Sequence, residues 1–515
     1  MARPHDLVIT NARIVSPNAD APNADAILAA DIAIDDGTFT DLRAGIDTSA
    51  TTAIFDAGGR LAYPGVIDSH QHWGIYNPLR EDAVSESKAA AQGGVTTGIT
   101  YMRTGKYYLN QSGPYRQFMP KVLDAVDGRA FVDYGFHVAP MMRKHIDEIP
   151  DLITEFGITS FKIFMFYGGF GLHGAADDQR QFLMIPDDEY YDFAHFEFVM
   201  RGVEAARRKM PEIAGEISLS LHCETAEIMR AYQNIVQREG RLRGLEAYSA
   251  ARPPHSEGLA VAIASYLAHA TALPTINLLH LSSETALDAA MRMATAFPHI
   301  DFRREVTIGH LLADFTTAAN GVGGKVNPPL RSRADVEALW RHVLSGDVDW
   351  VVSDHACCHA EMKFGVPRDD VFVAKSGFGG TEYLLPGMVT EGTRRGLSHR
   401  RIAQLLCQHP ARRFGLRRKG TIALGYDADL ALVDDHANWT VHAADSASSQ
   451  EYTPFEGFRM TARVTDTFLR GRHIMHDGQI LGRPAGQYLH RPVSRRQFAP
   501  TAAGITLAPD RTASE

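Results

Sequence analysis

Cysteine is scarce in this sequence, with four in 515 residues: Cys223, Cys357, Cys358 and Cys407. None forms a CxxC pair, and the adjacent Cys357 and Cys358 are poorly placed to bridge each other. A disulfide scaffold is excluded, and a reducing compartment is the simplest setting. Long apolar runs are also missing. The most apolar long stretch, residues 259–281, is interrupted by His269, Pro274 and His280, which excludes a membrane span. The opening MARPHDLVITNARIV has no apolar core behind a basic head, so a secretory signal is not expected and a cytoplasmic location is. Positive charge is not in excess either. Lys and Arg total 52 against 61 Asp and Glu, a net charge of −9 spread along the chain, which gives a nucleic-acid partner no support.

What remains is an ordinary globular mixture, 45% hydrophobic and 22% charged, long enough to bury a large core. Histidine is the unusual residue, with 23 copies, and its placement is informative.

The two ends of the chain share a β-rich texture. DLVITNARIV and DIAIDDGTFTDL alternate partially, with Asp36-Gly37 as a hairpin signal, and similar segments return in DADLALVD and ARVTDTFLRGRHIMHDGQI. This predicts one small β-sandwich domain built from residues 1–62 and 415–485. Residues 486–515, rich in Pro, Arg and Ala, read as a tail. The middle, residues 63–414, alternates short apolar runs with helical segments such as 81–92 and 335–344. Eight runs can be counted: 66–70, 95–102, 130–138, 159–166, 218–224, 275–282, 301–308 and 349–356. Strand then helix, eight times, predicts an α/β fold of the (β/α)8 TIM-barrel type.

Polar residues fall at the ends of these runs. His70 and His72 end the first, two apart and so on one face of a strand. His222 ends the fifth, and His280 and Asp354 lie near the ends of the sixth and eighth. Lys162 sits inside the apolar fourth run, TSFKIFMFY, where an unpaired ammonium is costly to bury. In a barrel the C-terminal strand ends converge on one mouth. Imidazoles with a carboxylate are the ligand set of zinc and similar divalent ions.

The segments YPGVIDSHQH, GGVTTGI, FVDYGFHV, GITSFKIFMFY, LSLHCE, LLHLSS, KVNPPLR, SDHACC and KGTIALGYDADLALVD together resemble the amidohydrolase superfamily, in the branch of hydantoinases, dihydropyrimidinases, allantoinases and dihydroorotases. The resemblance spans residues 6–491. It implies two divalent metal ions, zinc by default with manganese as an alternative. His70, His72 and Asp354 would hold one ion and His222 and His280 the other, with Lys162 bridging both as a carbamate. It also implies that a metal-bridging hydroxide attacks the amide carbonyl of a small cyclic substrate, that Asp354 carries the proton to the leaving nitrogen, and that Tyr167, five residues after Lys162, donates to the developing oxyanion. Family members are commonly homo-oligomers, tetramers or dimers, with the tail against a neighbour.

Within that branch, Gly74 stands where dihydroorotases carry an arginine, and the Lys162-to-Tyr167 spacing, DYGFHV and Arg252-Pro253-Pro254 favour hydantoinase or dihydropyrimidinase over allantoinase. The implied reaction opens a cyclic amide or ureide to an N-carbamoyl amino acid, with allantoin or another cyclic imide as the alternative substrate. A non-catalytic scaffold of the same fold is disfavoured because every implied ligand is present. Two departures mark the substrate loops. Asn327 stands where relatives usually have Ser, and KSGFGG, with Ser376, replaces a PNGxPG-like loop. Asn327, Ser376 and Trp73 are the further candidates for substrate contact.

Overall fold

The computed structural model describes residues 5–18, 27–168, 179–365 and 370–492. Its centre is an eight-stranded parallel barrel: β1 (Val66–Gln71), β2 (Val95–Met102), β3 (Asp133–Val138), β4 (Ser160–Phe164), β5 (Ser218–His222), β6 (Thr275–Leu278), β7 (Asp301–Thr307) and β8 (Trp350–Val352). Each pairs with the next in chain order, and each of the eight runs anticipated from the sequence overlaps one, seven of them containing it entirely. A parallel bridge from Gln71 to His355, with the His72 N–H donating to the His355 carbonyl at 2.8 Å, joins the first strand to the chain after the eighth.

Strands covered on both faces should be apolar almost throughout, and β2 is buried at every position. The polar exceptions are tied together. The Asp68 carboxylate in β1 accepts from the Ser353 N–H at 3.1 Å, the Ser353 hydroxyl at 2.5 Å and the Thr381 hydroxyl at 2.8 Å, so the barrel seam is stitched by one buried acid.

Helices Leu79–Gln92 and Arg333–Ser345 occupy the two segments where helical spacing is clearest. Helix Ile149–Phe156 ends at Gly157, which has φ +63°, with the Gly157 and Ile158 N–H groups donating back to Ile153 and Leu152. A Cβ at Gly157 would meet the Arg491 backbone nitrogen at 2.5 Å, so this tight stop, which feeds β4 and Lys162, requires glycine.

The second domain is a nine-stranded mixed sheet drawn from both ends of the chain. Strand Leu61–Pro64 pairs parallel with Leu7–Val15 and antiparallel with Leu430–Asp434, which brings the ends together. The anticipated hairpin joins Ile27–Asp35 to Thr38–Arg43, with Asp36 at φ +50° and Gly37 at φ +75°. This sheet has its own apolar cluster, including Ile9, Ile32, Phe39, Leu430 and Phe468. At the start of the tail, the Gly486 N–H donates to the Ala130 carbonyl and the Arg491 guanidinium to the Phe136 carbonyl, against this chain's own barrel. The tail beyond 492 lies outside the described residues. No helix among the described residues is long and apolar enough to cross a membrane.

Candidate active site

At one mouth of the barrel, His70, His72 and Asp354 present ligand atoms close enough to share one ion. His70 lies within β1 and His72 just beyond it, so the period of two turns both rings to the same side. Asp354 Oδ1 is 3.1 Å from His70 Nε2 and 3.1 Å from His72 Nε2. Asp354 has φ +54° and His280 has φ +35°. Two of the gathered side chains therefore sit on backbone that ordinary residues avoid, a cost borne where the surrounding structure over-determines geometry.

Lys162 projects from the middle of β4. Its Nζ is 3.1 Å from His70 Nε2 and lies 4.0 Å from the Tyr101 ring centroid and 4.3 Å from that of Phe164. Among the described residues no carboxylate forms an ion pair with it. Burial pushes the Lys162 amine well below its ordinary range and pushes the nearby Glu305 carboxyl up.

The second half of the site is made by His222 and His280, with ring centroids 4.3 Å apart. His222 Nε2 is 2.6 Å from Glu224 Oε2. The Arg252 guanidinium donates to the same Glu224 oxygen at 2.6 Å. Burial opposes ionisation of Glu224, but Arg252 and His222 outweigh it and hold the carboxyl down at about 2. Both ring nitrogens of His280 are buried without a hydrogen-bond partner. Such a ring is costly unless a ligand takes one of its lone pairs.

Burial lowers the pKa of all four imidazoles, and mutual repulsion with Lys162 adds to it. They are held neutral, the form that donates a lone pair to a metal. Asp354 behaves oppositely. Burial would raise it, but His70, the hydrogen bond with His72, and Lys162 hold it below the usual carboxylate range. The donor set, neutral imidazoles and an anionic oxygen around a buried amine, fits a divalent cation.

A cavity of about 90 Å³ opens over these groups, lined by His72, Lys162, His222, His280 and Asp354, and by Tyr167, Asn327 and Ser376. Tyr167 stands in the 3-10 turn Met165–Gly168 that follows β4, and its hydroxyl accepts from Arg103 Nη2 at 3.1 Å. Asn327 Oδ1 accepts from the Tyr248 hydroxyl at 2.5 Å, and the Ser376 carbonyl accepts from the Tyr76 hydroxyl at 2.6 Å. Trp73 is the exception among the sequence-derived candidates. It is 1% exposed, packs within the core near Tyr134, and does not line this cavity. Trp73 lies in the turn after β1, and its ring packs toward Tyr134 rather than into the cavity.

Sequence reasoning missed the residues that hold the candidate ligands. Glu305, inside β7, lies 2.7 Å from His70 Nδ1 and accepts from Trp350 Nε1 at 2.8 Å. The Tyr108 hydroxyl lies 2.6 Å from His72 Nδ1. Glu305 carried a usable signal, an acid within a barrel strand, like Lys162. Tyr108 carried none. Cys357 and Cys358 are buried, and burial pushes Cys358 up to about 11, so neither is a ready thiolate.

Barrel and site together define a hydrolase-type centre on a (β/α)8 scaffold. The chain belongs to the amidohydrolase family, whose model matches residues 61–474. An allantoinase of Rubrobacter xylanophilus is 31% identical over 89% of this chain and 94% of that protein. A D-hydantoinase of Rhizobium radiobacter is 28% identical over 94% of this chain and 98% of its own length. Among solved structures, a D-hydantoinase (dihydropyrimidinase) from Thermus sp. superimposes with a TM-score of 0.78 at 27% identity, covering 94% of this chain and 99% of that one.

Proposed function

We propose that this protein is a metal-dependent cyclic amidohydrolase that opens a hydantoin-type ureide ring to an N-carbamoyl amino acid. The observation that carries this reading is the convergence of four neutral imidazoles, a carboxylate and a buried lysine from five barrel strands on one mouth, where all but His70 line one small cavity. Membership of the amidohydrolase family and relatives named allantoinase and D-hydantoinase support the class of reaction. Allantoin is itself a hydantoin bearing a ureido group, so both names describe the same ring. Dihydropyrimidine rings are the six-membered alternative.

In this reading His70, His72 and Asp354 would hold one divalent ion, and His222 and His280 a second, with Lys162 as the residue that would serve both. Two such ions would polarise the scissile carbonyl and make a water acidic enough to ionise near neutral pH. Lys162 suits carbamylation because burial favours its neutral amine, which adds to CO2 with loss of one proton and leaves an anion with two oxygens. Asp354, kept ionised by its neighbours, accepts the proton from the attacking water and returns it to the departing ring nitrogen. The Tyr167 hydroxyl donates to the carbonyl oxygen as charge develops there. Its oxygen is held by Arg103 Nη2 at 3.1 Å, which fixes its position at the cavity wall. Asn327 and Ser376 line the same cavity and would meet the ring's amide edge. Zinc is the default metal and manganese the alternative, and a homo-oligomer is the assembly that goes with the reading.

The test is a panel assay on protein loaded with zinc or manganese, using hydantoin, allantoin, dihydrouracil, dihydroorotate and simple cyclic imides. Ring opening of hydantoin or allantoin with release of the N-carbamoyl product is the expected result. Turnover of none of the panel by protein that holds its metal would remove the reading.

A further inference from the structure

A second cavity, of about 160 Å³, adjoins the ligand cavity and shares Ile75, Tyr76, Phe166, Tyr167, Asn327 and Ser376 with it. The rest of its lining includes Arg103, Arg252, Lys325 and Lys375, with no Asp or Glu among the described residues. Of these four basic residues, Arg103 and Lys375 have no carboxylate partner among the described residues, which gives the space a positive potential.

Arg103 is the most telling of the four. It is 1% exposed, yet no carboxylate among the described residues pairs with it. Nη1 donates to the Thr104 carbonyl at 2.9 Å and Nη2 to the Tyr167 hydroxyl at 3.1 Å, and Nε is buried without a partner. The guanidinium lies 4.8 Å from the Tyr108 ring centroid, 5.0 Å from that of Tyr167 and 5.1 Å from that of Phe182, which fixes its plane. Aromatic faces compensate only part of the cost of burying such a charge.

The other cations leave the excess uncorrected. Arg252 is matched by Glu224 at 2.6 Å. Lys325 Nζ donates to the Ala374 carbonyl at 2.6 Å, and Lys375 Nζ to the Tyr107 hydroxyl at 2.9 Å, both neutral acceptors. Burial and the charges of Arg252, Lys363 and Lys375 push Lys325 well below the usual lysine range, with Asp370 the one acid opposing them. An anion entering this space would relieve that repulsion and complete the bonding of Arg103.

We infer that the ring substituent of the preferred substrate carries a carboxylate, seated in this second cavity against Arg103 and Lys375 while the ring faces His280 and Lys162. The inference rests on the ring-opening reading above and names its substrate class: hydantoin-type ureides with a short acidic side chain. A planar guanidinium held at a fixed angle suits a carboxylate, which two parallel hydrogen bonds can grip. The pocket walls Phe182 and Phe372 would flank the connecting methylenes.

The experiment compares metal-loaded enzyme on hydantoin bearing a carboxyethyl group, its carbamoylethyl isostere and a phenyl-substituted hydantoin. The acid is expected to exceed the amide in kcat/KM by about 10–100-fold, the range for a charge-assisted contact. Lys375→Met and Arg103→Lys should each narrow that ratio about tenfold. The ratio isolates recognition from any effect of Arg103 on Tyr167. Equal or better turnover of the amide or the phenyl compound overturns the inference and leaves the ring-opening reading standing. If no hydantoin is opened, the ring-opening reading fails. Titration calorimetry with the ring-opened acid, N-carbamoylglutamate, against N-carbamoylglutamine then still decides this one. Tighter binding of the acid supports the cationic pocket, and no preference overturns it.

Discussion

Glu305 and His70 are hydrogen-bonded across the barrel interior, with Oε1 2.7 Å from Nδ1, and the same oxygen accepts from the His280 backbone N–H at 3.2 Å. One buried acid thereby orients a ring from the first strand and the backbone beside a ring from the sixth, and turns His70 Nε2 toward Lys162 and Asp354. Partners that orient a ligating imidazole typically change metal affinity by about 10–100-fold when lost. Glu305→Gln should weaken metal binding by that factor, measured by competition with a chelator, while Trp350 Nε1 still finds an acceptor. Unchanged affinity would mean that Glu305 serves packing alone.

Lys162→Ala should leave one bound ion per chain instead of two and lower kcat by more than about a thousandfold, since activation of water by a metal pair is lost. Metal analysis after gel filtration reads the first effect. Partial recovery of activity with acetate or propionate would show that a carboxylate can stand in for the carbamate. Full activity in Lys162→Ala would end the proposed mechanism.

Tyr167→Phe removes a donor from the mouth of the site without changing ring volume. The loss of one such donor costs about 10²–10³ in kcat. The effect should fall on kcat rather than KM, because the bond strengthens only as charge develops on oxygen. A change confined to KM would assign Tyr167 to binding.

His145 and His310 make stability sensitive to acid. Burial holds both imidazoles down at about 4, against an ordinary value of 6.5. Above pH 6.5 they are neutral whether the chain is folded or not and contribute nothing to the pH dependence. As pH falls from 6.5 toward 4, the unfolded chain takes up protons that the folded chain refuses, so stability drops. Each is worth of the order of 3 kcal/mol across that window. Urea unfolding between pH 7 and about pH 5 should show this slope, and His145→Asn should flatten it by about one proton at its steepest. An unaltered slope would show that His145 is not the group responsible.

Much of the site could be read from sequence because the residues involved break local expectation. Lys162 inside TSFKIFMFY and the spaced pair in DSHQH conflict with an apolar strand, and a conflict of that kind is visible in the linear chain. The same rule would have found Glu305 in FRREVTI. Arg103 and Tyr108 stand in a segment of mixed polarity, where an arginine or a tyrosine raises no conflict. Trp73 misled because adjacency in sequence to His72 does not carry it to the cavity: it sits in the turn after β1 and packs near Tyr134.

The eightfold alternation of strand and helix, the β-rich ends and the polar residues at the ends of the apolar runs were determined by sequence alone, since periodicity and polarity are local properties. Tertiary structure decided which partners hold His70 and His72, because Glu305 and Tyr108 reach them across sequence distances that no local pattern encodes. It also decided that Arg103 has no counter-charge among the described residues. The absence of a partner is a property of the whole packed surroundings, and only the folded chain specifies it.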